Sequence, residues 1–202
     1  MVAFVRPQAG GSLADRAVRL AIAGYQVLGL VVFVAGLLLA LSWLRQPFPG
    51  ALLDQARVMT RAAPVGNADS WGLLAQGLKR GDQVRAMGGL PTQSTAALRS
   101  ALSAFAPGET IEFSIHPTDA PDYALRARLT AFPSPDRTAY LILPTILGLI
   151  CIVTGTWVFT IRGNQPSGRA FAALCASGGI ICNSYFDSLT SHSLTVRSAV
   201  DL

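Results

Sequence analysis

The stretch GLKRGDQVRAMGGLPTQSTAALRSAL, residues 77–102, lies between two long apolar runs and differs from both in its charges and turn residues. Leu20 to Leu44 contains no charged residue, and neither does Ala139 to Ile161. As a helix that rises about 1.5 Å per residue, each run is long enough for the roughly 30 Å hydrocarbon core of a bilayer. The pattern predicts a membrane protein with one water-exposed domain.

The composition agrees with this interpretation. Charged residues make up only 13% of the 202 residues, whereas about 25% is usual for soluble domains. The first run exceeds the roughly 7–15 apolar residues of a secretory signal, so we expect an anchor that is not cleaved. Ala170 to Tyr185 is a shorter third candidate, interrupted by Gly178, Gly179 and Asn183. The predicted fold class is therefore membrane α-helical, with two or three spans, plus a small α+β domain.

The arginines near the apolar runs predict the orientation. Arg6, Arg16 and Arg19 precede the first run, and Arg162 and Arg169 follow the second. Because basic residues favour the cytoplasmic side, the segment between the runs is expected outside. The predicted divisions are residues 1–19, cytoplasmic N-terminus; 20–44, first span; 45–138, extracytoplasmic domain; 139–161, second span; 162–169, cytoplasmic loop; 170–186, candidate third span; and 187–202, C-terminal tail. Trp43 and Tyr140 fit interfacial anchoring.

Charge and motifs exclude several functions. The outer segment from Arg45 to Arg137 holds ten basic and eight acidic residues, so it has no polybasic surface for nucleic acid. The three cysteines lie in apolar runs and are predicted to be packing residues. His116 and His192 are far apart in the sequence. No metal site and no cofactor are therefore predicted.

No catalytic motif is present. The sequence contains no H-E-x-x-H, no G-x-S-x-G and no phosphate-binding loop. Asp187 and His192 are the titratable pair closest to a predicted span, and we expect both at the outer interface. The chain is therefore not expected to be an enzyme, unless the natural protein continues past Leu202 into an effector domain.

Apolar and polar residues in the outer segment follow patterns typical of a mixed α and β domain. Ala56–Val65 is predicted to be a strand, and DQVRAM, residues 82–87, another that ends at a Gly88-Gly89 hairpin turn. Ser94 can cap a helix over Thr95–Phe105, which Pro107-Gly108 ends. Two further strands follow, TIEFSIH at residues 110–116 and YALRARLT at residues 123–130.

Residues 77–115 resemble the second half of a bacterial PDZ domain. The matching positions are Gly77, Leu78, Gly81, Asp82, Gly89, Leu98, Leu102, Pro107 and Gly108, and Gly88 stands where Asn is usual. The residues predicted to form structural turns are Gly77, Gly81, Asp82, Gly88 and Gly89. Trp71-Gly72 departs from the family, because a Ser-Pro-Ala-type turn is usual there.

The resemblance implies a peptide-binding function. A PDZ domain binds a peptide as an added strand beside a helix and holds its C-terminal carboxylate with backbone N–H groups. The corresponding loop is PFPGALL, residues 47–53, with Gly50, Ala51 and Leu52 as candidate loop residues. Leu98 and Leu102 would contribute to the groove wall. An alternative is a PDZ-like fold that binds no peptide.

The whole arrangement resembles the amino-terminal input region of multi-span bacterial sensor proteins of the histidine kinase or phosphatase type. LPTILGLICIVTGTWVFTIRGNQPSGRAFAALCAS, residues 143–177, carries much of this likeness. It implies a multi-pass protein of the bacterial cytoplasmic membrane that senses or relays, with the bilayer and protein C-termini or peptides as partners and a homodimer as a further option. The alternatives are an adaptor for an envelope protease or secretion machine, and a structural subunit of a membrane complex.

Overall fold

The computed structural model describes residues 13–190 apart from 55, 61 and 119, and leaves out the side chain of Thr95. Its helices are α1 (Leu13–Trp43), α2 (Gly72–Ala75), α3 (Thr95–Ser103), α4 (Ser134–Arg137), α5 (Leu143–Arg162) and α6 (Pro166–Leu189). Its strands are β1 (Gln83–Met87), β2 (Leu90–Pro91), β3 (Thr110–His116) and β4 (Tyr123–Arg128). A π-helical turn over Thr138–Ile142 joins α4 to α5. Arg6, His192 and most of the predicted C-terminal tail lie outside the described residues.

Two helices of the described chain are long and apolar enough to cross a membrane. They are Leu13–Trp43 and Ser134–Arg162, the second being α4, the π-helical turn and α5 in succession. Their large apolar side chains are mostly exposed, among them Val27, Leu28, Val31, Val34 and Leu38 on α1 and Leu147, Ile150, Val153 and Trp157 on α5. The coarse fold class, apolar helices plus a small sheet, is thereby confirmed.

The sheet belongs to residues 46–133, here called the sheet unit. Its four strands are antiparallel throughout, in the order β2-β1-β3-β4. The predicted turn at Gly88-Gly89 joins β1 to β2, with φ of 55° and 79°. These left-handed values favour glycine and are those of a tight hairpin.

The predicted strand Ala56–Val65 is wrong. The described residues of this segment belong to no strand and make isolated pairs, Val58 with Gln83 and Met59 with Leu53. The chain makes a tight turn here, in which Val58 N donates to Asp54 Oδ1 at 3.0 Å. Because the turn reverses the chain within five residues, only short stretches on either side can pair with a neighbour.

The inner face of the sheet packs on α3. Val84, Met87, Phe113 and Ile115 are fully buried there. α3 begins at the predicted cap, where Ser94 Oγ accepts from Ala97 N at 3.1 Å, and ends at Ser103 rather than at Phe105. The predicted alternation of β3 and β4 and the apolar face of α3 thus meet in one core.

α1, α5 and α6 form a bundle in which α6 packs against both α1 and α5. The buried positions of α6 are small for most of their length, being Gly168, Ala172, Ala176 and Gly179 before Asn183 and Phe186. Such residues allow helix backbones to approach closely. α6 runs from Pro166 to Leu189 and so extends beyond both ends of the predicted third span.

Candidate functional site

The sheet unit and the helix bundle share one buried cluster of mostly aromatic side chains, here called the junction. The sheet unit contributes Phe48, Leu52, Ala62, Trp71 and Phe132, and the helices contribute Ala40, Leu141 and Phe186, with Trp43 and Tyr140 packed against them. The rings meet edge to face, with centroids 5.3 Å apart for Trp43 and Phe132 and 5.2 Å for Trp43 and Phe186. Edge-to-face contacts of this kind contribute beyond the area that they bury.

A buried carboxylate holds the junction together. Asp136, in α4, has no exposed surface. Its Oδ2 accepts from Trp71 Nε1 at 2.9 Å, and its Oδ1 accepts from Val65 N at 2.6 Å. A charge-bearing group placed in a core must be hydrogen bonded to be tolerated, and both bonds come from the sheet unit. The first turn of the long helix is therefore attached to the sheet unit by direct bonds.

A second attachment lies one turn further along the same helix. The hydroxyl of Tyr140 donates to Ala63 O and accepts from Ala63 N. Pro135 also packs on Gly66, where an added Cβ would lie 3.2 Å from the Pro135 ring. Helical structure thus begins at Ser134, before the predicted domain boundary at residue 138, and its first two turns belong to both parts of the protein.

The predicted peptide-binding loop lies between the sheet core and the junction. Gly50 has φ of +85°, and its Cα faces Gly72 so closely that a Cβ would lie 2.2 Å from Gly72 N. Ala51 is buried in the sheet core and Leu52 in the junction. A ligand held by this loop would therefore touch the backbone between two cores.

The predicted groove residues are also buried. Leu98 and Leu102 are only 1% and 5% exposed, and both pack in the core beneath the sheet. Their side chains thus support the fold directly, and a part in peptide binding stays a prediction for them, as for Gly50, Ala51 and Leu52.

The predicted turn residues occupy turns. Gly77 and Gly81 have φ of +98° and +88°. Asp82 is buried, and its Oδ2 accepts from Lys79 N at 2.8 Å and from the Tyr123 hydroxyl at 2.6 Å. The turn is thereby connected to β4 as well as to its own backbone.

The Asp82–Tyr123 bond should make stability depend on alkaline pH. Burial, and then the hydrogen bond to Asp82, raise the pKa of Tyr123 to about 12, from an ordinary value of about 10. Because the folded pKa is the higher one, the stabilisation is fully present below about pH 10 and is lost as pH rises through about 12. The difference in unfolding free energy between the natural protein and Tyr123→Phe should shrink over that window.

Ultraviolet absorbance of tyrosinate, recorded for both proteins, would locate the titration. A tyrosine that titrates at its ordinary pKa, or a free-energy difference that does not change with pH, would contradict the bond.

Asp136 and Trp71 were not predicted as functional residues. Trp71 was noted only as a departure from the PDZ pattern, and Asp136 was counted only among the acidic residues of the outer segment. Asp187 lies in the last turn of α6, where its carbonyl accepts from Thr190 N at 3.3 Å. Within the described residues, no three His, Cys, Asp or Glu side chains form a group that could hold a metal ion.

No protein-family model matches the chain, and neither a curated protein nor a solved structure matches it. What can be said of its function therefore comes from its own residues.

Proposed function

We propose that the protein is a non-catalytic sensor or relay component of the bacterial cytoplasmic membrane. α1 and the helix Ser134–Arg162 cross the bilayer with α6 as a third span, and the sheet unit lies on the extracytoplasmic side. The sheet unit is a PDZ-like domain that binds a peptide or a protein C-terminus. The helices then transmit the bound state through the membrane.

The surface of the bundle supports the membrane location. Large apolar side chains are exposed along α1 and α5, over an area that a water-soluble monomer rarely leaves uncovered. Arginines gather at the end of the bundle remote from the sheet unit, where Arg19 Nη1 donates to Asn164 Oδ1 at 2.8 Å and Arg169 pairs with Asp15 at 3.3 Å. Basic residues favour the cytoplasmic side, which leaves the sheet unit outside.

The junction is the observation that carries the relay. A domain on a flexible tether would leave the helices unaffected by its ligand, whereas here Asp136 and Tyr140 bond the long helix directly to the sheet unit. Leu52, within the predicted peptide loop, lies in the same cluster as Leu141 and Phe186. Because packed cores respond by shifting between discrete arrangements, a ligand that moves this loop would move the helix ends.

Hydrogen exchange of the full chain in lipid nanodiscs tests the proposal. The probe is a pool of short random peptides with free C-termini, and the same peptides amidated are its control. We expect the free peptides to slow exchange in the sheet unit and also to change it in residues 138–143 at the start of the long helix. Trp71→Phe, which keeps an aromatic side chain but removes the donor to Asp136, should retain binding and weaken the change in the helix.

Two results would contradict the relay. Peptide binding that leaves residues 138–143 unchanged would reduce the protein to a recruiting adaptor. A folded chain that binds neither pool would favour the structural-subunit alternative. The burial of Ala51, Leu52, Leu98 and Leu102 is consistent with that alternative.

A further inference from the structure

A cavity of about 380 Å³ opens beside β1. Its lining includes Arg57, Gln83, Arg85, Pro91, Thr92 and Gln93. A water molecule takes about 30 Å³ in the liquid, so the space can admit a side chain or a chain terminus. Among the described residues that line it are two arginines and two glutamines but no acidic residue.

Arg57 is held over this cavity in a strained conformation. Its φ is +62°, the only positive φ of a non-glycine residue in the described chain. Glycine or asparagine would occupy this position in the turn at lower cost, because left-handed backbone crowds the Cβ of other residues. The Arg57 side chain instead reaches across the cavity, where Nη1 donates to Thr92 O at 2.8 Å. Residues held in sparsely populated backbone conformations cluster at functional sites.

Arg85 also lines the cavity and lies at an irregularity in the sheet. The pairing of β1 with β3 shifts between Val84 and Ala86, so that Arg85 is the extra residue of a bulge. Bulges of this kind redirect a side chain. Arg85 Nη1 lies 3.8 Å from Asp122 Oδ2, but Asp122 binds His116 more closely, at 2.6 Å. The ion pair therefore leaves Arg85 able to bind another anion.

The cavity offers donors suited to a carboxylate. Guanidinium groups bind carboxylates through paired N–H donors, and glutamine amides add further N–H groups. Arg57 Nε and Gln83 Nε2 already donate to Ala56 O, at 3.1 and 2.8 Å, so a ligand would use the remaining N–H groups of these side chains. We propose that this cavity binds a carboxylate of the peptide ligand, either an Asp or Glu side chain or a free C-terminus. The inference rests on the peptide recognition proposed above. It adds to that recognition by placing ligand specificity at Arg57 and Arg85 as well as at the predicted loop.

Retention of peptides by the full chain in nanodiscs tests this site. Three pools of short random peptides are compared: free C-termini without acidic residues, amidated peptides with one Glu, and the same amidated peptides with Gln in its place. We expect at least one carboxylate pool to be retained at least about tenfold better than the Gln pool. The pool that is preferred distinguishes a terminal carboxylate from a side-chain carboxylate.

Two cavity variants and one control complete the experiment. Arg57→Gly and Arg85→Gln should each lower retention of the preferred pool by about tenfold. Arg126→Gln, on β4, removes the same charge from an exposed pair with Glu112 of β3 and should change nothing. Glycine adopts the φ of residue 57 without strain, and Arg85→Gln decides the matter if Arg57→Gly does not fold.

The outcomes separate this site from the relay. Equal retention of all three pools, or a preference that neither cavity variant lowers, would overturn the site even if exchange at residues 138–143 still responds. A preference that depends on Arg57 and Arg85 without any response at residues 138–143 would uphold the site and overturn the relay. Displacement of every pool by millimolar inorganic phosphate would identify a general anion site and would contradict the proposal that the site binds a peptide carboxylate.

Discussion

Asp136→Leu should lower the free energy of unfolding by about 2–4 kcal/mol and detach the sheet unit from the helices. Leucine keeps the branched shape of the side chain but accepts no hydrogen bond. Trp71 Nε1, on a fully buried residue, and Val65 N, on a residue that is 57% exposed, would then lose their acceptor. Each buried donor left unpaired costs about 1–3 kcal/mol.

Thermal unfolding in nanodiscs would measure the loss, and hydrogen exchange would locate it. Protection should fall in residues 62–71 and 134–141, while β1 and β3 remain protected by their separate core. Asp69→Leu makes the same change at an exposed residue of the turn Ala68–Ser70 and should be nearly neutral. An equal effect of the two variants would mean that the Asp136 bonds do not hold the junction.

Gly155→Ala should destabilise the helix bundle, although alanine is the better helix former. A Cβ at this position of α5 would lie 2.6 Å from the Cβ of Cys175 on α6. The helices must separate to admit it, which strains the neighbouring bonds of Gln26, whose Nε2 donates to Ala172 O at 2.5 Å. Overpacking of this kind costs about 1–3 kcal/mol, more than the roughly 1 kcal/mol that alanine gains in helix propensity.

Gly24→Ala is the matched control, because no atom lies within 4 Å of a Cβ placed there on α1. It should be neutral or slightly stabilising in the same unfolding measurement. Gly155→Leu should have a larger effect than Gly155→Ala. A Gly155→Ala protein as stable as Gly24→Ala would show that α5 and α6 do not pack this closely.

Local patterns predicted much of the sheet unit. Alternation identified β3 and β4, Ser94 identified the start of α3, and Gly88-Gly89 identified the hairpin turn. These features depend on a few neighbouring residues, so the sequence displays them directly. The bulge at Arg85 and the turn at Arg57 were not predicted, because both arise from how distant segments fit beside β1.

The candidate sites show the same division. The PDZ resemblance drew attention to Gly50, Ala51, Leu52, Leu98 and Leu102, whose side chains or backbone lie in buried positions. Nothing in the sequence connected Trp71 with Asp136, which are 65 residues apart and meet only in the folded chain. Arg57 and Gln93 likewise meet at one cavity only because the turn and the start of α3 approach β1.

Length, charge and alternation are properties of adjacent residues, and they were enough to predict the two apolar helices and the charged α/β segment between them. The folded chain alone shows that glycines seven residues apart, Gly148 and Gly155, serve packing against α6. It also shows that Trp43 and Tyr140, predicted as interfacial anchors, belong to the junction. Close packing and the pairing of buried polar groups depend on which distant side chains meet, and no local pattern records that.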